Sequence, residues 1–446
     1  MNDKMTIQIG PDKKNYEDAF KIFESVSERE TASWFREHKA AAISRVAQLD
    51  FPTRKNEDWK YTDVSPIVAN TYRFPLKPAI NDLPFARIEP FLFGQSDWPR
   101  LVFINGVFSG QLSQTAGLPS GVKVCNLREV LRTDNGFPRQ QLNRYALPEK
   151  RIFTALNAAF TDEGACVYFP PGLEIQQPVH LIYVTVPSED KILVHPRNLV
   201  IADKGARAAV IESFVSVSES AYFNNAVSEI VLEEGARLDY YKMIREGPSA
   251  FHIGTTEVCQ HRSTLFSSCT INLGGRIARS DLHVDLAEEG AECSLDGLYL
   301  VTENQHVDNY ILVDHPKPRG TSRQLYKGIL DGKGTSVFYG KVFVHPDAQK
   351  TDAIQTNKNL LLTEGASAYT RPQFEIYADD VKCTHGAAVG QLDEEAVFYL
   401  KSRGIGEARA RNLLCYGFAS EVVNRIRQEP VRRELDRVML AKFEEA

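Results

Sequence analysis

The feature that most constrains this chain is a short motif that returns six times at uneven intervals. It consists of a charged residue, a glycine, a small residue and then a strand-like run. It reads EGACVYF from Glu163, KGARAAVI from Lys204, EGARLDYY from Glu234, EGAECSLDGLYL from Glu289, KGTSVFYG from Lys333 and EGASAYT from Glu364. The glycines are 164, 205, 235, 290, 334 and 365, separated by 41, 30, 55, 44 and 31 residues. Glycine takes positive φ without a Cβ clash, so each copy can turn one strand into the next. Uneven steps argue against a solenoid of fixed loop length and fit a parallel β-helix whose coils carry loops of different sizes. From about residue 150 to 390, alternating segments such as HLIYVTV and SEIVLEE follow one another with few helical patterns between them. A β-sandwich with glycine turns is the plainer alternative, but this stretch is longer than the roughly 100 residues of a typical sandwich.

The flanks differ in character. Tyr16, Phe20, Phe23 and Val26, then Trp34, His38, Ala42, Val46 and Leu49, recur at helical spacing across residues 16–49. The prolines of FPTRKNEDWKYTDVSP (51–66) break that pattern and open a mixed region. After Gly390 the chain reads as helical again. LDEEAVFYLKSRG has Asp393 at its start, glutamates in the first turn, Lys401 and Arg403 at its end and Gly404 as a stop. GEARARNLLCYGFASEVVNRIRQ and the stretch beyond Pro430 continue the pattern. The expected organisation is therefore a helical and mixed region over 1–150, a β-helix core over 151–390 and a helical region over 391–446. The flanking helices are expected to cap the coil ends, where strand edges lie unpaired.

Charge and cysteine usage narrow the function classes. A net charge of −6 over 446 residues argues against a general nucleic-acid binder. Residues 401–442 nevertheless hold ten Lys/Arg against five Asp/Glu. The start, MNDKMTIQIGPDKKNYED, lacks the apolar core of a signal peptide, and no run approaches a membrane span. The seven cysteines include no C-x-x-C, which suits a reducing, cytoplasmic setting and excludes a self-contained zinc ribbon or cluster loop.

The richest chemistry lies in ADDVKCTHG (378–386), where a thiol and an imidazole stand two residues apart after two carboxylates. PQFEIYADDVKC is rich in strand formers. On a strand, residues i and i+2 share a face about 6.6 Å apart. Cys383 and His385 therefore share a face with Val381, while Lys382 and Thr384 point away. This arrangement suits two ligands of one metal better than a catalytic dyad, because same-face neighbours stand side by side. A cysteine hydrolase would need Cys383 activated by a base and an oxyanion hole. A carbohydrate-active β-helix would need paired carboxylates in a groove, yet Asp379 and Asp380 are adjacent and point to opposite faces.

Other motifs carry less. GILDGKGTS (328–336) fails as a phosphate loop, because the glycine spacing is short, Lys333 precedes Gly334, and strand patterns flank it on both sides. SRGIGEARARNLL (402–414) has the form of a helix-hairpin-helix turn, but Phe398, Tyr399, Leu413, Leu414 and Phe418 point to docking on protein. QHVDNYILVDHP (305–316) offers His306, Asp308, Asp314 and His315, which read more simply as polar positions on strands than as metal ligands.

The stretches RPQFEIYADDVKCTHGAAVGQLDEEAVFYLKSRGI (371–405), SRQLYKGIL with VFYGKVFVHPDAQKTDAIQTNKNLLL (322–362), and more weakly RKNEDWKYTD (54–63), resemble the SufB/SufD family of iron–sulfur cluster assembly proteins. The D-V-K-C-x-H-G run places the resemblance on the SufD side. The resemblance implies a right-handed parallel β-helix between helical regions, and a non-catalytic scaffold whose ATP hydrolysis belongs to a partner. It implies pairing with a SufB-like subunit, docking of a SufC-like ABC ATPase on the C-terminal helices, and transfer of a nascent cluster to acceptor apoproteins. It also implies that His385, with Cys383 beside it, faces the SufB-like partner as a ligand of that cluster. Reduced flavin is associated with such complexes, and no residue here locates it. Neither nucleic acid nor membrane is expected as a partner.

Overall fold

A computed structural model describes residues 6–27, 32–75, 83–132, 140–186, 190–217 and 219–445. Two large sheets dominate it. From Arg197 onward, successive strands pair with the strand two positions later in the chain, always in parallel. Arg207–Ser216 pairs with Arg237–Arg245, and so on to Asp352–Leu361 with Lys382–Gly390. The opposite sheet runs from Phe223–Leu232 through Phe251–Gln260 to Ser367–Ile376. Each coil contributes one strand to each sheet, which is a parallel β-solenoid. Strands before residue 150 join it: Arg100–Ile104 pairs in parallel with Val179–Thr185, and Lys123–Asn126 pairs antiparallel with Ala165–Phe169.

The structural repeat is tighter than the glycine spacing. Paired positions lie between 26 residues apart (Phe251 to Ile277) and 32 residues apart (Thr335 to Ser367). The glycine motif merges two different corners. At one corner Gly172, Gly205, Gly235, Ser263, Gly290, Arg319 and Lys350 all take φ between 55° and 72°. From Gly205 on, the N–H of each donates to a carbonyl of the following coil, such as Gly235 N to Arg262 O at 2.9 Å and Lys350 N to Asp380 O at 2.7 Å. Three coils turn this corner without glycine, and the one at Ser263 opens the 55-residue gap between Gly235 and Gly290. Gly334 and Gly365 belong to the other corner and serve close approach: a Cβ on Gly365 would lie 2.5 Å from the carbonyl oxygen of Gly332.

Why the strands read as apolar on both faces follows from what covers them. All ten residues of Phe223–Leu232 are buried. Their inner side meets the solenoid core with Val210, Tyr240 and Leu295. Their outer side meets helices Lys13–Ser27 and Ile152–Phe160, where Phe20, Phe23 and Phe160 pack with Phe223 and Phe251. Such two-sided burial is the rule for parallel sheets. On helix Ser33–Gln48, Phe35 and Lys39 are buried and His38 is exposed. A strict four-residue step slides around a 3.6-residue helix, so the run through His38 misreads the buried stripe. Lys39 is buried beside Glu24 (3.2 Å) and over the Phe23 ring (4.6 Å). Residues 28–31, inside the stretch expected to be helical, lie outside the described residues.

The C-terminal helices Glu394–Ser402, Glu407–Val423 and Glu429–Glu445 do not cap the final coil. They lie along the outer face of the other sheet, where Ala419, Val422, Ile426 and Leu435 pack with Ile211, Tyr241, Met243 and Ile271. Arginines of the basic tail reach solenoid acids: Arg425 to Asp296 at 2.9 Å and Arg427 to Asp239 at 2.7 Å. A sheet face rich in buried apolar positions offers more contact than an edge, so the helices cover the face and leave the edge.

A buried ion pair fixes one flank. Arg197 and Glu229, both fully buried, stand 2.7 Å apart, and the Glu229 carboxylate also accepts the backbone N–H groups of Asn143, Tyr145 and Ala146 at 2.8–3.0 Å. Glu229→Ala strands a buried guanidinium and three donors. Urea unfolding of this variant is expected to show a loss of about 3–5 kcal/mol, and a loss below about 1 kcal/mol would contradict the clamp.

Candidate functional site at the open end of the solenoid

The last coil consists of Ser367–Ile376 in one sheet and Lys382–Gly390 in the other. Each is the terminal strand of its sheet, so each carries a row of unpaired backbone groups. The inner faces of these strands are correspondingly open. Nearly every residue of Lys382–Gly390 is exposed, whereas Asp352–Leu361, one coil earlier, still buries every second residue at its start.

Cys383 and His385 share the inner face, as their spacing predicts. Cys383 stands in register with the buried Ala353, and His385 with the buried Gln355. Cys383 packs against the rim of the solenoid core, together with Ala368, Phe374 and Val381. The His385 ring meets Phe374 of the opposite sheet, with centroids 5.1 Å apart at 30°. His385 itself is exposed, and Cys383 is half-buried. Partial burial pushes the Cys383 thiol up from its ordinary value, Asp352 adds to this, and a hydrogen bond with the Ala353 backbone opposes it. The imidazole thus packs on an aromatic ring rather than activating the thiol, which removes the geometric basis for a cysteine hydrolase. Asp380 is taken up in an ion pair with Lys350, and Asp379 is exposed on the surface turn.

The other sequence motifs fall into structural roles. GILDGKGTS is a strand, a corner and the next strand. His306 and Asp308 both hydrogen-bond Thr62, and Asp308 also pairs with the buried Arg279 at 2.6 Å, so this pair of residues holds the N-terminal segment. His315 is buried against Ser322, at 3.0 Å, and desolvation lowers its pKa to about 4. The 54–63 stretch straps across the sheet face. Trp59 lies over Arg279 (3.7 Å), Tyr61 stacks on Tyr369 (4.4 Å) and Glu57 pairs with Arg371 (2.5 Å). The strap therefore reaches the last coil. A hollow of about 420 Å³ lies beside it, but Arg151 and Arg279 in its wall are already paired with Glu257 and with Asp281 and Asp308. Phe374 and Gln355 lie within the stretches that carry the family resemblance, but neither was singled out there. Their signal was the strand alternation, which places both on the inner face with His385.

This geometry defines a class: a parallel β-solenoid with helices laid along its faces and a terminal coil left open. Sequence comparison makes the class specific. The family profile for the SUF system FeS cluster assembly, SufBD core domain, matches residues 184–418, and that for the SufBD protein N-terminal region matches residues 11–181. An iron–sulfur cluster assembly SufBD family protein of Synechocystis is 34% identical over 400 residues, 87% of this chain and 86% of the relative. The iron–sulfur cluster assembly protein SufD of Escherichia coli is 32% identical over 407 residues, 88% of this chain and 89% of the relative. Protein ABCI7, chloroplastic, of Arabidopsis thaliana is 29% identical over 406 residues, 88% of this chain and 82% of the relative. The chain belongs to the SufB/SufD family of iron–sulfur cluster assembly proteins. Among the described residues no helix is long and apolar enough to cross a membrane.

The raised thiol gives a measurable expectation. Site-resolved iodoacetamide labelling of the isolated chain should show Cys383 reacting with a pH midpoint above that of an ordinary cysteine, because only the thiolate attacks and burial disfavours it. A midpoint at or below the ordinary value would mean a cationic neighbour that the static arrangement lacks.

Proposed function

We propose that this chain is a SufD-like scaffold subunit, pairing with a SufB-like subunit through its open terminal coil so that a nascent iron–sulfur cluster forms between them. The observation that carries this reading is the conjunction at one place of two unpaired strand edges with Cys383 and His385. Strand edges bind other chains by continuing the ladder, and a second solenoid end supplies a matching edge. Thiolate and neutral imidazole both bind iron, and mixed Cys/His ligation of clusters is established chemistry. Among the described residues no three of His, Cys, Asp and Glu converge to hold a metal. The cluster, as cargo, therefore takes its remaining ligands from the partner before passing to acceptor apoproteins.

The C-terminal helices are assigned to a SufC-like ABC ATPase. Phe398 (72% exposed) and Tyr399 (57% exposed) project from helix Glu394–Ser402 next to the turn at Gly404, while the inner side of the same helical region is spent on the solenoid. Exposed aromatic side chains on a rigid base are the anchors that protein interfaces favour. The scaffold itself is non-catalytic. Reduced flavin, where such complexes hold it, belongs to the assembly and to no assigned residue of this chain.

Three experiments test the reading. In the co-expressed complex, His385→Ala is expected to preserve subunit assembly and abolish cluster content, measured as iron and acid-labile sulfide per complex. Cys383→Ser is expected to do so less completely. Cluster content unchanged by His385→Ala would refute the ligand role, and failure to assemble would reduce the residue to interface packing. The isolated chain should not hydrolyse ATP, and Phe398→Ala with Tyr399→Ala should weaken co-purification of the ATPase subunit at least tenfold. Retained co-purification would move that interface elsewhere.

A further inference from the structure

Directly beneath His385, in register on the preceding strand, is Gln355, a fully buried polar residue in the solenoid interior. Its amide nitrogen donates to the oxygen of Gln324 at 2.9 Å, and Gln324 is in turn the in-register residue one coil further in. The amide oxygen of Gln355 has no hydrogen-bond partner. A buried acceptor without a donor is unfavourable and calls for a partner, whether water or a group supplied in another state of the protein. The nitrogen being committed to the preceding coil, the oxygen is the amide atom left for the following coil. There the in-register neighbour is His385.

The opposite sheet makes room for this amide. Gly340 lies across the interior on Thr335–Val344, and a Cβ there would stand 2.1 Å from the Gln355 nitrogen and 2.8 Å from its amide carbon. Any larger residue at 340 would push the Gln355 side chain aside. The glycine is not needed for a turn, since it lies within a strand and its φ is not in the left-handed region. It gives clearance to Gln355 first and also to the Phe338 ring, whose Cε1 would stand 2.9 Å from that Cβ.

We propose that Gln355 is the positioning residue for His385: its free amide oxygen accepts the second ring N–H of the imidazole when His385 turns from Phe374 to bind iron. An imidazole that ligates a metal through one nitrogen carries its proton on the other, and an acceptor for that proton fixes both tautomer and ring orientation. Gln355 supplies such an acceptor from a side chain that is itself locked by Gln324 and by the clearance at Gly340. The inference rests on the ligand role proposed for His385 and adds the group that aims it.

The test uses the full chain in the co-expressed complex, with iron and sulfide content measured alongside subunit yield and thermal midpoint. Gln355→Leu is expected to assemble at wild-type yield and lose cluster content at least fivefold. Gln355→Glu, which keeps an acceptor at the same reach, should retain most of it. Gly340→Ala, which displaces the amide without removing it, should fall with Gln355→Leu. The readout that packing alone would not move is the ¹⁵N spectrum of histidine-labelled complex, with His385 identified by its loss in His385→Ala. One N–H tautomer is expected in the wild type, and both in Gln355→Leu. Wild-type cluster content and a single tautomer in Gln355→Leu, beside loss in His385→Ala, would overturn this inference alone. Unchanged content in His385→Ala would overturn the ligand reading and this inference with it. Should Gln355→Leu fail to fold, Gly340→Ala decides: loss of clusters with normal assembly supports the assignment, and wild-type content overturns it.

Discussion

Everything in this molecule depends on in-register parallel stacking, which places each residue of one coil about 4.8 Å from its counterpart in the next. A residue is judged by its neighbours above and below as much as by its neighbours in sequence. Aromatic rings meet across adjacent coils, as Tyr310 does on Tyr339 with centroids 4.9 Å apart. Corners superimpose, so that once one coil turns through a left-handed residue, the next is held to the same conformation by the hydrogen bond between them. This is why Ser263, Arg319 and Lys350 hold a conformation that costs an L-residue roughly 1–2 kcal/mol. The stack fixes the backbone, and glycine only makes it easier.

That constraint explains which parts of the fold were legible. Strand alternation and glycine corners identified a β-helix, because they recur in every coil and each copy reinforces the others. Coil length was not legible from glycine alone, since the glycines at 334 and 365 answer a close approach at a different corner from those at 205, 235 and 290. The face shared by Cys383 and His385 was legible, because it follows from a period of two. Their partners Phe374 and Gln355 were not, because they are neighbours only through the stack, separated from His385 by eleven and thirty residues of chain. The helices were readable as helices, but not where they dock. The choice between a sheet face and a sheet edge is settled by apolar surface such as Ile211, Tyr241 and Met243, which a local window cannot assign to inside or outside.

Stacking by itself leaves a hazard: a solenoid is nearly degenerate under a shift by one coil, and the flanking elements could dock one repeat away. Charged groups in the interior and under the flanks remove the degeneracy. Arg197 and Glu229 seat the 143–146 loop on one coil only. Arg279, held between Asp281 and Asp308, seats the strap through Trp59 and the Asp58 carbonyl. Deeper in the core, burial drives the Glu212 carboxyl upward, but Lys242 and hydrogen bonds from Tyr240, Ser228 and Asn198 outweigh it, and its pKa lies below the ordinary value. A buried charge misplaced by one coil loses all of these partners at once. Such pairs add little net stability over apolar packing, and their effect here is to specify register.

The terminal coil is where the stack must end, and the way it ends is what the proposed pairing would use. An edge meant to stay solitary is normally blunted by charge, proline or a covering element. Here the final strand reads KCTHGAAVG, with small and uncharged residues over most of its length, and its inner face leaves Phe374, Cys383 and His385 on the rim of the core. The strap pins the neighbouring strand through Tyr369 and Arg371, on the outer face, and so stiffens the coil without covering its edge. A stiff, open coil is a preformed surface, so a partner that extends the ladder need not pay to order it. The same partner would close the mouth over Cys383 and His385, replacing water around both. On the proposed reading, an exposed His385 and a half-buried Cys383 would become enclosed only in the assembled protein, and a cluster held there would depend on assembly for its shelter as well as for its remaining ligands.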